Sequence, residues 1–190
     1  MLESVTMPWL RELYICRDPT VTPSFWTNSA FLSFTDRSSL GMSLTHLEIQ
    51  PVVQDQELIQ CLELLPLLQR LWLWDCEDHN RHAVVTDFLL DRLACTQGEP
   101  VIVPGLEYCH FRTILRFGDE SLHRFIRFRA GDQDSEETFE IDFTLPPTPE
   151  RTFSPNFLAQ MEELQAEREG FLFSIQDNAN YRKHSEVFAL

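Results

Sequence analysis

The densest run of side chains able to do chemistry is Cys76-Glu77-Asp78-His79-Asn80-Arg81-His82. Its Cys-x2-His-x2-His spacing offers one thiolate and two imidazoles, donor types that bind zinc. A structural zinc centre needs further donors from a second pair, and no CxxC or HxxxH pair occurs elsewhere in the chain. Cys76 also has a structural reading, as the small polar group on which a repeat turns out of its strand. The expectation is therefore a polar loop, with no metal and no cofactor. A nucleophilic set would need Ser or Cys, His and a carboxylate gathered by the fold. No G-x-S-x-G, P-loop, G-x-G-x-x-G or H-E-x-x-H anchors one, so a non-enzymatic protein is expected. Arg124, Arg127 and Arg129 are interleaved with Phe125, Ile126 and Phe128 in the manner of a nucleic-acid-binding stripe, but three charges make a small footprint in a chain of net charge -15. The pattern predicts instead a helix that buries Phe125 and Ile126 and leaves its arginines in water near its C-terminus.

That net charge comes from 30 acidic and 15 basic side chains, a field that repels phosphate backbones and anionic lipid heads. Neither nucleic acid nor a membrane surface is expected as a partner. Residues 58–74 form the greasiest window, but Glu63, Pro66 and Arg70 interrupt it and it is too short to span a bilayer. The start carries no basic segment leading into an apolar run, so a cytoplasmic or nuclear location is expected. Five scattered cysteines, an odd number, point to reduced thiols rather than a disulfide framework.

The elements that would position any site follow one repeated pattern. Pro66-Leu67-Leu68-Gln69-Arg70-Leu71-Trp72-Leu73-Trp74-Asp75-Cys76 reads L-x-x-L-x-L-x-x-C after a proline, the form of one leucine-rich repeat. Related copies lie at Pro8 to Ile15, Met42 to Ile49 and Pro104 to Phe111, where Cys109 takes a leucine position. A copy so close to Met1 has no cap before it, and solenoid ends need one, so a preceding segment is expected. Amphipathic helices are predicted at 55–65, after Thr86 as N-cap, and at 119–129; a short helix capped near Ser24 precedes them. The central leucine positions 13, 47, 71 and 109 are 34, 24 and 38 residues apart, against roughly 20 to 29 in regular repeats, so the array is irregular. Beyond it, Thr138 to Phe143 alternates as a strand, Ser154-Pro155 opens a helix, and Phe171 to Ile175 is a last strand. The expected fold is an α/β leucine-rich-repeat solenoid, with parallel strands on the concave face and short helices on the convex one. Residues 1–129 form about four degenerate repeats, 130–176 a C-terminal cap, and 177–190 a polar tail.

If the leucines point inward, the intervening residues line the open face: Glu12, Tyr14 and Cys16; His46, Glu48 and Gln50; Arg70, Trp72 and Trp74; Tyr108, His110 and Arg112. Such a row is rich in the Trp, Tyr and Arg that dominate interface hot spots. The candidate partner-binding residues are Tyr14, His46, Glu48, Arg70, Trp72, Trp74, Tyr108, His110 and Arg112. Two outward tryptophans are costly without a cover. A partner and another segment of the same chain are equally good covers on this reading.

The copies at Pro8 to Ile15, Leu44 to Ile49, Pro66 to Cys76 and Pro104 to Phe111, with the helix openings at Asp55 and Thr86, resemble the leucine-rich region of F-box-like proteins from mushroom-forming fungi. The resemblance covers roughly residues 5 to 175 and rests on structural leucines, so it carries over no functional residue. It implies that the repeats present a substrate for ubiquitin transfer. In that family an F-box ahead of the repeats holds the adaptor of a cullin-type ligase; no F-box helices precede Pro8, so the adaptor is expected as a partner only if an F-box precedes this chain.

Overall fold

In the computed structural model the described residues are 4–16, 27–50, 53–75, 83–95, 100–131, 138–146 and 151–177. Among these residues six strands alternate with five α-helices. In chain order they are β1 (Glu12–Ile15), α1 (Asn28–Ser38), β2 (His46–Ile49), α2 (Asp55–Glu63), β3 (Arg70–Trp74), α3 (Asp87–Leu93), β4 (Tyr108–Arg112), α4 (Asp119–Ala130), β5 (Phe139–Leu145), α5 (Pro155–Glu167) and β6 (Phe171–Asp177). A short 3-10 turn, Leu40–Met42, leads into β2. The strands form one open sheet in the order β1-β2-β3-β4-β5-β6, every neighbouring pair parallel. The fold is α/β, and none of its described helices is long and apolar enough to cross a membrane.

Strand register follows the apolar positions. Leu13, Leu47, Leu71 and Cys109 stand opposite one another, and Ile141 and Phe173 continue the line. From Leu47 to Ile141 these side chains are fully buried, and they share one core with the inner sides of the helices, from Phe31 to Leu164. Each such side chain contributes about 1.5–3 kcal/mol by leaving water. In the C-terminal half the core is aromatic: the Phe143 ring lies 5.1 Å from Phe153, 5.7 Å from Phe111 and 5.9 Å from Phe173. The segment read as a cap thus adds β5 and β6 to the same sheet and the same core.

Helix starts repeat a tie from one unit to the next. Asp55 Oδ2 accepts from the Thr86 hydroxyl at 2.9 Å, Asp87 Oδ1 from the Gly118 N–H at 2.7 Å, and Asp119 Oδ2 from the Ser154 N–H at 3.1 Å. Thr86 and Ser154 also cap their own helices, accepting from Leu89 N–H and Phe157 N–H, both at 3.2 Å. Helix ends carry a second tie. The Arg129 guanidinium donates to the carbonyls of Leu93 (3.1 Å), Val103 (2.9 Å) and Ile102 (2.8 Å), and Arg168 donates to those of Gly131 and Ala130. This corrects one expectation: Arg124 and Arg127 are exposed, but Arg129 is only 8% exposed. Its planar fork bonds carbonyls at the end of α3 and in the turn before β4, which outweighs its hydration.

Candidate functional site

The side of the sheet turned away from the helices is a grid in which register places three rows. The first is Glu12, His46, Arg70, Tyr108, Glu140 and Leu172; the second is Tyr14, Glu48, Trp72, His110, Asp142 and Ser174. The third includes Trp74, Arg112, Thr144 and Gln176. All nine candidate residues therefore lie on one face.

Aromatic rings run across it without a gap. Tyr14 and His46 have centroids 5.2 Å apart, His46 and Trp72 5.6 Å, Trp72 and Tyr108 6.1 Å, and Trp72 and His110 5.2 Å. All are tilted pairs at separations where ring quadrupoles attract. The Arg112 guanidinium lies 5.1 Å from the Trp74 centroid, a cation–π contact. Neighbours thus cover part of both tryptophans, which are half-buried, while Tyr14 is 50% exposed and Arg70 is exposed. Tall flanking rings also bury shorter polar groups: His46, Glu48, His110 and Asp142 are each at most 9% exposed.

Burial sets the electrostatics. It pushes His46 and His110 below the ordinary imidazole value, with Asp142 opposing the shift at His110. It raises Glu48, against one hydrogen bond from Gln50 Nε2 at 2.8 Å. Tyr108 is raised by burial and by donating its hydroxyl to Asp142 Oδ2 at 2.7 Å. Ser174 donates to the other Asp142 oxygen, and His110 Nε2 meets Thr144 Oγ1 at 3.2 Å. Thr144 is fully buried and Ser174 bonds the carboxylate directly, so this cluster holds no exposed hydroxyl against an imidazole base. The buried Cys109 thiol beneath the sheet is pushed up to about 12.

Beside the grid, Asp75 closes the end of β3. Its Oδ1 accepts from the Val84 N–H and its Oδ2 from the Thr113 hydroxyl, both at 2.6 Å. Asp75 is a buried polar group at this strand end; Cys76, expected in that role, lies outside the described residues, as do His79 and His82 of the zinc-like run. Among the described residues no three His, Cys, Asp or Glu side chains are placed to hold a metal. Sequence reasoning missed Glu140, Asp142 and Ser174 on the open face. The signal was present in the alternation Phe139-Glu140-Ile141-Asp142-Phe143, which places the acids opposite the apolar core once β5 pairs with β4. No family model, no curated protein and no solved structure matches this chain.

Proposed function

We propose that this chain is a non-catalytic protein-binding module, a leucine-rich-repeat solenoid with its strands on the concave side, and that it forms the substrate-recognition region of an F-box-type ubiquitin-ligase receptor in the cytoplasm or nucleus. The observation that carries the binding role is the unbroken ring row from Tyr14 through His46 and Trp72 to Tyr108 on the side away from the helices. Large rings held rigid by their neighbours lose little entropy on docking, which makes them good anchors. The aligned positions Leu13, Leu47, Leu71 and Cys109 support the repeat reading, and the free thiols of Cys16, Cys61 and Cys109 suit a reducing compartment.

Co-purification with a cullin-ligase adaptor, from this chain and from a version extended upstream, tests the ligase role. The extended form is expected to bring the adaptor down, and the role fails if neither form does. Trp72→Ala is expected to abolish capture of the substrate while leaving cooperative unfolding intact; unchanged capture would sink the binding role of this face. The burial of His46, Glu48, His110 and Asp142 favours a second reading, a structural repeat product with no ligase role. In that case Trp72→Ala lowers stability and no partner is lost.

A further inference from the structure

We propose that two copies of this chain pair about a two-fold axis through the rim of turns that leads into β1 to β4, with Trp9 of each copy seated in a pocket of the other. The pairing leaves the open face free, so it stands apart from the protein-binding reading and goes beyond it.

Six of the large apolar side chains exposed among the described residues stand on this rim: Met7 and Trp9 before β1, Met42 before β2, Leu64 and Leu67 before β3, and Val101 before β4. The turns lie side by side because the strand ladder runs on into them. Thr45 N–H donates to the Arg11 carbonyl, Gln69 N–H to that of Thr45 and Glu107 N–H to that of Gln69, each at 2.9 Å. Gly41 abuts the Leu64 carbonyl, which sets the turn of Met42 against that of Leu64. The exposed parts of the six amount to roughly 600 Å², at the upper end of the apolar patch that a single chain leaves uncovered. A stable pair buries about 800 Å² per partner, somewhat over half of it apolar, so one rim against another meets what a dimer needs. Charges within these turns come in both signs, Arg11 with Glu12, Arg92 paired with Glu63, and Arg70 with Glu107, so the net -15 of the chain is not concentrated here.

The rim also complements itself. At one end Trp9 is 86% exposed and has φ 77°, in a turn where Leu10 N–H donates to the Met7 carbonyl at 3.3 Å and Pro8 holds the second position. Glycine is the residue that such a third position favours, so the tryptophan is strained there, and strain kept for an indole standing in water points to a contact. At the other end a cavity of about 260 Å³ lies among Pro66, Pro100, Val101 and Pro104, with the paired Glu63 and Arg92 in its wall. These apolar walls suit an indole, and Glu63 offers the acceptor that the indole N–H needs once buried. Strands lie about 4.8 Å apart, so Trp9 before β1 and the pocket by the turns of β3 and β4 stand roughly 12 Å apart, with Met42 between them. That separation keeps Trp9 out of its own pocket. A two-fold axis through Met42 instead brings each Trp9 onto the other copy's pocket, the reciprocal contact that such an axis requires.

Sedimentation velocity of the full chain from about 1 to about 100 μM tests the pairing. The mass is expected to rise from 22.3 kDa toward twice that value across the range. Met42→Glu sets two carboxylates together at the axis, from a position 79% exposed, and Trp9→Gly suits the positive φ. Each is expected to weaken pairing about tenfold or more while leaving the urea midpoint of the dilute monomer in place. Val101→Arg, which fills the pocket from an exposed position, is expected to do the same. A mixture of Trp9→Gly with Val101→Arg keeps one intact Trp9 facing one intact pocket, so it is expected to pair severalfold more tightly than either variant alone. A parent chain that stays at 22.3 kDa up to about 100 μM would overturn the dimer. Pairing that survives Met42→Glu, or that Phe88→Glu on α3 weakens equally, would place the contact off this rim and overturn it too. A mixture no tighter than its two parts would overturn the seating of Trp9.

Discussion

Asp75 and Arg129 are buried charges that end elements rather than face a ligand. Asp75 is pushed up by burial, opposed by hydrogen bonds from Thr113 and from the backbone N–H groups of Val84, Val85 and Ile114. Asp75→Ala would strand the Val84 N–H and the Thr113 hydroxyl away from water, and buried donors left unpaired cost roughly 1–3 kcal/mol each. A loss of about 2–4 kcal/mol in urea unfolding is expected. At Arg129 the geometry is the point: three carbonyls on two segments meet one planar fork. Arg129→Lys keeps the charge but cannot span them, so it should still lower stability by about 1–3 kcal/mol. A lysine variant as stable as the parent would show that charge alone is what the site needs.

Helix starts are where neighbouring units are tied, and Thr86 carries two bonds there, to Leu89 N–H and to Asp55. Thr86→Ala should cost about 1–2 kcal/mol, more than loss of an isolated cap, and a double-mutant cycle with Asp55→Ala should show coupling of about 0.5 kcal/mol or more. Additive losses would mean that the tie does not join the two units energetically. Close packing between turns has a similar single point of failure at Gly41, where an added Cβ would lie 2.6 Å from the Leu64 carbonyl oxygen. These starts were legible in the sequence because their signals are local: an acidic first turn at Asp55, Thr86 before Asp87, and Ser154-Pro155. The central positions 13, 47, 71 and 109 were legible for the same reason, each lying inside its own short motif. What was not legible is contact across units. Arg129 reads as a surface charge until its carbonyl partners 26 to 36 residues earlier are in place. Helix α1 begins at Asn28 rather than near Ser24, and Thr27 ahead of it makes no side-chain cap, so no local signal marked its start.

Across the whole molecule, the open face couples stability to pH from both sides. His46 and His110 have folded values below the ordinary 6.5, because burial disfavours the imidazolium. Between that lowered value and 6.5 the unfolded chain binds more protons, so stability rises with pH there; their contribution is complete above about 6.5 and is lost as pH falls. Glu48 and Asp75 act in the other direction. Their folded values are raised, so the folded chain binds more protons above the ordinary carboxylate range, and stability falls as pH rises through the raised values. The histidines thus contribute an acid limb, a loss of stability as pH falls, which the two carboxylates oppose where the windows overlap. Urea midpoints are measured between about pH 7 and pH 5, in about 0.5 M salt to screen the general repulsion of a chain of net charge -15, and the difference between the parent and a variant lacking both imidazoles isolates that limb. His46→Asn and His110→Asn together should make the midpoint fall less over this range than it does in the parent. An acid limb of unchanged slope in the double variant would show that protonation of the open face does not set the acid stability of the fold.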